Sequence, residues 1–219
     1  MSYPYTFFRP DHIEKLRLRV AKILSEKRMK HVLGVEQMAF RLGLLFFWGD
    51  DESMNILSAA ALLHDVTKER TDEQQLDILS EYKYNALPEE LASMPTIHAL
   101  TGALVIPKDF PEFADERLIN AVKWHTTGKA GMNLYEKIIF LADYIEETRK
   151  YPACIELRET FFSANPVNMT EDERHRHLDR AVLKAMENTL THLREKGSVI
   201  HPATLEAYED IKRRLLDEA

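Results

Sequence analysis

Apolar side chains recur at spacings of three and four residues along most of this chain, the period of an amphipathic helix rather than of a strand. Seven glycines and nine prolines in 219 residues are also too few for the frequent turns of an all-β fold. The expectation is an all-α protein built as a helical bundle. Residues 11–30 read as the first helix, with Ile13, Leu16, Val20, Ile23 and Leu24 as its buried stripe. His31, Val35, Met38, Leu42 and Leu45 make the stripe of a second, and residues 54–68 form a third, rich in alanine where another helix can approach closely. A short helix is expected over 74–79, then a loop up to Pro95, then a helix over 96–106 that Pro107 stops. Asp115 suits the N-cap of a helix to about Thr127, with Gly128 as its left-handed terminator. Asn133 with Glu136 has capping-box spacing ahead of a helix to Arg149, and Thr170 with Glu173 repeats it ahead of a helix to Lys196 that Gly197 ends. Pro202 opens the last helix. Residues 151–169 are the least regular stretch and a candidate insertion.

Charge narrows the function classes. With 29 basic and 36 acidic residues the net charge is −7, which argues against coating nucleic-acid polymers, since duplex binding depends on basic residues neutralising phosphates. A single nucleotide in a locally basic pocket stays open. No apolar run exceeds five residues, Leu44 to Trp48 being one, far short of the roughly 20 that a membrane span needs. No secretory signal pattern stands at the N-terminus, and the single Cys154 fits a reducing compartment, so the expected location is the cytoplasm.

The chemistry lies in histidines and aspartates where a helical core does not favour them. His64 and Asp65 are adjacent, and the preceding turns on their side are Leu57, Ala60 and Ala61. An unpaired carboxylate in such surroundings is costly or is forced to protonate, and a bound cation removes the conflict. Asp143 repeats the pattern one turn after Ile139 and Phe140. His31 heads the second stripe, His98 shares a side with Thr101 and Gly102, and His125 follows Ala121 and Val122. Imidazole and carboxylate without thiolate suit iron, manganese or zinc and argue against a structural zinc knot. One inward histidine alone is more often a hydrogen-bonded packing residue than a ligand, so the weight rests on the ordered set. His175, His177 and His192, amid charges, read as solvated surface, Cys154 as a small apolar residue, and Phe46 to Trp48 as core.

The order His31, His64-Asp65, Asp143 resembles the ligand order of the HD-domain metal-dependent phosphohydrolases. The strings His31-Val-Leu-Gly-Val-Glu36, Ala61-Leu-Leu-His64-Asp65-Val-Thr-Lys68, His98-Ala-Leu-Thr-Gly-Ala103, Trp124-His125-Thr126-Thr127-Gly128 and Leu141-Ala-Asp143-Tyr-Ile-Glu146-Glu-Thr-Arg149 are similar to its YqeK-type branch. The likeness resumes more weakly at His201-Pro-Ala-Thr204 with Tyr208. It implies an HD-domain bundle with a metal site in its core. Residues 28–152 would carry metal and phosphate, 1–27 would be a helical extension, and 153–219 would pack on the core and close the nucleotide pocket, all within one structural domain. It also implies a symmetrical bis(5′-nucleosyl)-tetraphosphatase, which splits diadenosine tetraphosphate into two ADP.

In that family His31, His64, Asp65 and Asp143 are the iron ligands, with one ion or two, and manganese or another divalent transition metal as the alternative. His98 and His125 face the phosphates or complete a second metal site, and Asp65 stands where a bridging carboxylate is needed if two ions bind. Asp65, Lys68, His98 and His125 are the expected catalytic set. Lys68, three residues after Asp65, shares its side of a helix, and Arg28 and Arg149 have the fork geometry to clamp phosphate oxygens. Thr126, Thr127 and Gly128 offer hydroxyls and a backbone amide, while His201 and Tyr208 are expected at the nucleoside end unless His201 only caps the last helix. The competing readings are another HD-type phosphohydrolase, acting on a deoxynucleotide or an alarmone, and a nucleotide and metal sensor without turnover. The expected partner is a dinucleoside polyphosphate, with no nucleic-acid polymer and no membrane; a homodimer is left open.

Overall fold

A computed structural model describes residues 10–217. The elements are α1 (Pro10–Val20), α2 (Glu26–Gly43), α3 (Asp51–Leu63), α4 (Asp72–Glu81), α5 (Pro88–Ala92), α6 (Ile97–Asp109), α7 (Glu116–Trp124), α8 (Leu134–Ile145), α9 (Pro152–Ser163), α10 (Glu171–Glu195) and α11 (Pro202–Asp217), with short 3-10 turns between some of them. Among the described residues there is no strand, and no helix is long and apolar enough to cross a membrane. Capping sets most of the starts. Asn133 with Glu136, and Thr170 with Glu173, make reciprocal capping boxes, as does Thr71 with Gln74.

Helix α3 is the axis of the bundle. Its run Ala59, Ala60, Ala61, Leu62 and Leu63 is fully buried, and α1, α2, α7 and α8 all pack against it. Alanines let those helices come close, so the residues that follow the C-terminus of α3 are delivered to the centre of the molecule. Helices α9 and α10 pack on α8, and α11 packs on α10. One contiguous core runs from Ile13 to Ile211.

Several boundaries differ from the periodicity. The expected helix over 11–30 is two helices, because the chain turns at Ala21–Leu24 and the Ser25 hydroxyl accepts from Arg28 N–H to start α2. Ile23 is exposed as a result, and His31 falls in the second turn of α2 rather than at a helix start. Helix α3 stops at Leu63, and residues 64–68 follow as tight turns closed by Val66 N–H to Leu63 O and Lys68 N–H to Asp65 O. Pro107 does not end α6, since it lies in the last turn, where Phe110 N–H still reaches Ile106 O. Helix α7 ends at Trp124 and α8 at Ile145, each a few residues early, and α5 occupies part of the expected loop. Residues 151–169 are no irregular insertion: Pro152 opens α9, and Cys154, Leu157 and Phe161 form its buried stripe. Trp48 is 83% exposed and so is not core. His177 is not merely solvated, because its Nε2–H donates to Phe161 O and its ring stacks on the Phe161 ring.

Candidate metal centre

Six of the singled-out side chains meet in one buried cluster. His31 comes from α2, His64 and Asp65 from the turn after α3, His98 from α6, His125 from the residue that ends α7, and Asp143 from α8. The ligand atoms of His31, His64 and Asp143 lie within 4.8 Å of one another, and so do those of His64, Asp65 and His125. His31 Nε2 stands 3.0 Å from Asp143 Oδ1 and 3.6 Å from Asp65 Oδ2, and His64 Nε2 stands 3.4 Å from Asp65 Oδ2. The other oxygen of Asp65 faces the second pair, 3.3 Å from His98 Nε2 and 3.8 Å from His125 Nε2.

Hydrogen bonds fix which ring nitrogens look inward. His64 Nδ1–H donates to Ala61 O at 2.6 Å, His125 Nδ1–H to Val122 O at 2.7 Å, and His31 Nδ1–H to Glu146 Oε1 at 3.0 Å. Each Nε2 is then a lone pair aimed into the cluster. His31 Nε2 and His64 Nε2 are buried without a hydrogen-bond partner, the first although Asp143 Oδ1 stands 3.0 Å away. His98 Nε2 and His125 Nε2 lie 3.2 Å apart. Donor atoms about 2.0–2.1 Å from a common ion are separated by about 3.0 Å at a right angle and about 3.4 Å in a tetrahedron, so these spacings match ligand spacings. Orphaned imidazole nitrogens facing carboxylates fit a divalent cation.

The electrostatics agree. Burial pushes the Asp65 and Asp143 carboxyls up, but the neighbouring His64 imidazole at Asp65 and the Arg149 guanidinium at Asp143 outweigh it, and both stay well below the usual carboxylate range. Burial lowers His98, and it lowers His125 to about 3, keeping that ring neutral. Burial also pulls His31 down, yet Asp143 and Glu146 prevail and push it up to about 9; a cation held there would take the place of that proton.

The expected phosphate-binding cations are at the rim. Arg28 Nη1 donates to Asp65 Oδ2 at 2.8 Å, and Arg149 donates through Nη2 to Asp143 Oδ1 at 2.5 Å and through Nε to Asp143 O at 2.9 Å. Lys68 is not on a helix with Asp65, yet the turn brings its Nζ to 3.2 Å from Pro95 O and 3.2 Å from His98 Nδ1. Thr126 Oγ1 is 3.3 Å from His98 Nε2. Others are engaged differently. Thr127 is buried and donates its hydroxyl to Gly128 O. Gly128, at φ +68°, is not an exposed amide: its N–H donates to Trp124 O, and a Cβ there would lie 2.6 Å from Met186 Cε, so the glycine admits α10. His201 accepts from Ala203 N–H at the start of α11, the capping role left open above, and borders a small recess with Thr127 and Trp124. Tyr208 packs against the core with Lys212 over its ring.

Glu146 escaped selection from the pattern. It is fully buried at the end of α8, accepts from His31, and is held by Thr148 N–H and Thr148 Oγ1–H, each at 2.5 Å. Gly34, one turn after His31 on α2, makes the room, since a Cβ there would lie 2.4 Å from Glu146 Oε2. A glutamate three residues after Asp143, paired with a glycine three after His31, is the signal that could have found it.

The HD domain family model matches residues 28–148, over half of the chain. The chain belongs to the HD-domain family. Two relatives named symmetrical bis(5′-nucleosyl)-tetraphosphatase are similar over most of their length. The protein from Halalkalibacterium halodurans is 32% identical over 188 residues, 86% of this chain and 90% of the relative. That from Bacillus subtilis is 31% identical over 190 residues, 86% and 91%. A crystal structure of an HD superfamily hydrolase from Clostridium acetobutylicum, described as involved in NAD metabolism, superposes with a TM-score of 0.78 at 31% identity, covering 92% of this chain and 97% of that one. The HD match thus spans all six clustered residues and the Glu146 that orients His31.

Proposed function

We propose that this HD-domain protein is a metal-dependent hydrolase that cuts dinucleoside tetraphosphates symmetrically, releasing two nucleoside diphosphates, ADP from diadenosine tetraphosphate. The observation that carries the reading is the convergence of orphaned imidazole nitrogens, the buried Asp65 and the part-buried Asp143 beside the cations Arg28, Lys68 and Arg149, in a chain about a third identical to relatives named for that reaction. His31, His64, Asp65 and Asp143 hold a divalent cation, which we assign as iron. The division of the Asp65 oxygens between the His31–His64 and His98–His125 pairs supports a second ion, which His98, His125 and Asp65 would hold.

Such a cation supplies Lewis acidity and lowers the pKa of a bound water from 15.7 toward roughly 7. The protein's own residues do the rest. Arg28 and Arg149, anchored on Asp65 and Asp143, present their remaining N–H groups to phosphate oxygens and fix the phosphorus beside the cluster. Lys68 Nζ, held by Pro95 O next to His98, neutralises charge that gathers on the attacked phosphoryl group. Thr126 Oγ1 steadies His98 Nε2. Attack at an inner phosphorus breaks its bond to the central bridging oxygen, and the leaving group departs as a nucleoside diphosphate.

The place of work is the cytoplasm and the substrate is small, readings supported by the lone buried Cys154 and the net charge of −7. The test is chromatographic analysis of the products from diadenosine tetraphosphate, with bound metals quantified in the same preparation. ADP as sole nucleotide product, lost on chelation and restored by iron, is expected. ATP with AMP, or no turnover by fully metallated protein, overturns the reading.

A further inference from the structure

We propose that the half of the substrate beyond the scissile bond lies in the cavity between the first turns of α2 and the segment joining α8 to α9, with Lys27, Lys30 and Lys150 facing its phosphates and Tyr151 stacking on its base. This rests on the dinucleotide reading and adds where the second nucleotide goes. The cavity, about 890 Å³, has His31, Arg28 and Arg149 on its wall, so it borders the metal-type cluster. Its volume is in the range of small-molecule sites. Exposure orders its cations: Arg28 and Arg149, tied to Asp65 and Asp143, are part-buried, while Lys27, Lys30, Lys150 and Tyr151 are exposed at the rim.

The lysines are placed against local preference. The first turns of a helix favour acidic side chains because the backbone N–H groups there are already positive, yet α2 puts Lys27, Arg28 and Lys30 in that region. None of the three acids on the cavity wall pairs with a lysine. Glu69 accepts from Ser25 N–H and Oγ–H, Glu146 is bound to His31 and Thr148, and Glu147 pairs with Arg41 and Arg158. Lys27 and Lys30 have no ion pair among the described residues, and Lys150 Nζ meets only the Glu147 carbonyl. In a chain of net charge −7, five cations converging on one cavity next to a metal-type cluster fit an extended polyphosphate. Tyr151 is 70% exposed at the mouth and supplies the flat ring that a purine stacks on.

The test uses the full-length, metal-loaded protein and diadenosine tetraphosphate. Tyr151→Ala is expected to raise KM about tenfold with kcat unchanged, and Tyr151→Phe to restore wild-type KM. The double variant Lys27→Ala, Lys30→Ala is expected to raise KM and flatten its dependence on salt. Wild-type KM in Tyr151→Ala, equal losses in the Ala and Phe variants, or an unchanged salt dependence in the lysine variant overturns the proposal. Binding of a non-hydrolysable methylene-bridged dinucleotide separates it from the activity. If wild type does not cleave the substrate but Tyr151→Ala still weakens that binding tenfold, the activity fails and the cavity assignment stands. Unweakened binding overturns the cavity assignment.

Discussion

Gly34→Ala is the smallest change that reaches the metal centre without touching a ligand. The added Cβ would lie 2.4 Å from Glu146 Oε2 and 3.2 Å from its Cδ, where ordinary contact begins near 3.4 Å. The carboxylate end must therefore retreat by about 1 Å. Retreat is not cheap, because Glu146 is fully buried and holds His31 Nδ1 at 3.0 Å and Thr148 N and Oγ1 at 2.5 Å. Adding about 1 Å to the His31 contact ends it as a hydrogen bond, and His31 loses the partner that fixes its tautomer and ring angle. Partners of this kind are worth about 10- to 100-fold in metal affinity. Overpacking costs about 1–3 kcal/mol, offset by about 1 kcal/mol from the better helix propensity of alanine, so the metal-free fold loses only about 0–2 kcal/mol. The expected result is a modest fall in the Tm of metal-free protein beside a 10- to 100-fold weaker metal Kd by calorimetric titration. Glu146→Gln is expected to weaken metal binding similarly, and the double variant to do little more than either single one. Wild-type metal affinity in both single variants would refute the argument that Gly34 acts through Glu146 on His31.

Asp65→Ala removes the carboxylate that faces all four histidines and is expected to lower bound metal and cut activity by more than about a hundredfold, read by elemental analysis and product formation. Lys68→Ala is expected to keep its metal and lose about 10²–10³ in kcat/KM; metal loss in this variant contradicts the division of roles. Asp115 caps α7, and although burial raises its pKa, its bonds with Arg117 outweigh this and hold it below 3.8. Because the folded pKa lies below the unfolded one, its contribution is present above about pH 4 and fades as pH falls through the folded value. The Tm gap between wild type and Asp115→Ala should therefore be open at neutral pH and narrow below about pH 4. Asp179→Ala leaves buried Lys137 without its partner at 2.5 Å and is expected to cost about 3 kcal/mol in denaturant unfolding, with metal content unchanged.

The ligand-type residues were legible because each breaks an apolar stripe beside small neighbours: Asp65 after Ala60 and Ala61, His98 beside Gly102. What periodicity does not carry is how chain ends turn. The apolar stripe of α1 continues through Ile23 and Leu24, so nothing in its spacing marks the break that Ser25 makes. Tyr151 to Met169 looked irregular because its buried positions, Cys154, Leu157 and Phe161, are few and set among charges, while its start rests on Pro152 alone. Glu146 is hard to read for a related reason: its carboxylate turns back from a helix end to a histidine 115 residues away, so the glycine three residues after His31 is its one trace in the pattern. Thr127 and Gly128 carry a packing role that their place after His125 does not show: Thr127 donates its hydroxyl to Gly128 O, and Gly128 lets α10 and α11 approach the end of α7.

The same helix ends explain how His64 and His125 are held rigid at the centre of an apolar bundle. The last turn of any helix leaves carbonyls without intrahelical donors, and burying them unpaired is costly. His64 follows the last residue of α3 and donates Nδ1–H to Ala61 O, three residues back; His125 follows α7 and donates to Val122 O in the same way. In each case one bond closes a buried helix end and fixes the tautomer that turns Nε2 to the cluster. His31, in the interior of α2, has no such carbonyl free to it, because the helix ladder already uses the backbone acceptors around it. Its Nδ1–H needs an acceptor from elsewhere, and Glu146, coming off the end of α8 into the space that Gly34 leaves, is that acceptor. Position along a helix thus decides which histidine is oriented by its own backbone and which requires a carboxylate, and it is the second kind that ties Gly34 and Glu146 to the proposed metal centre.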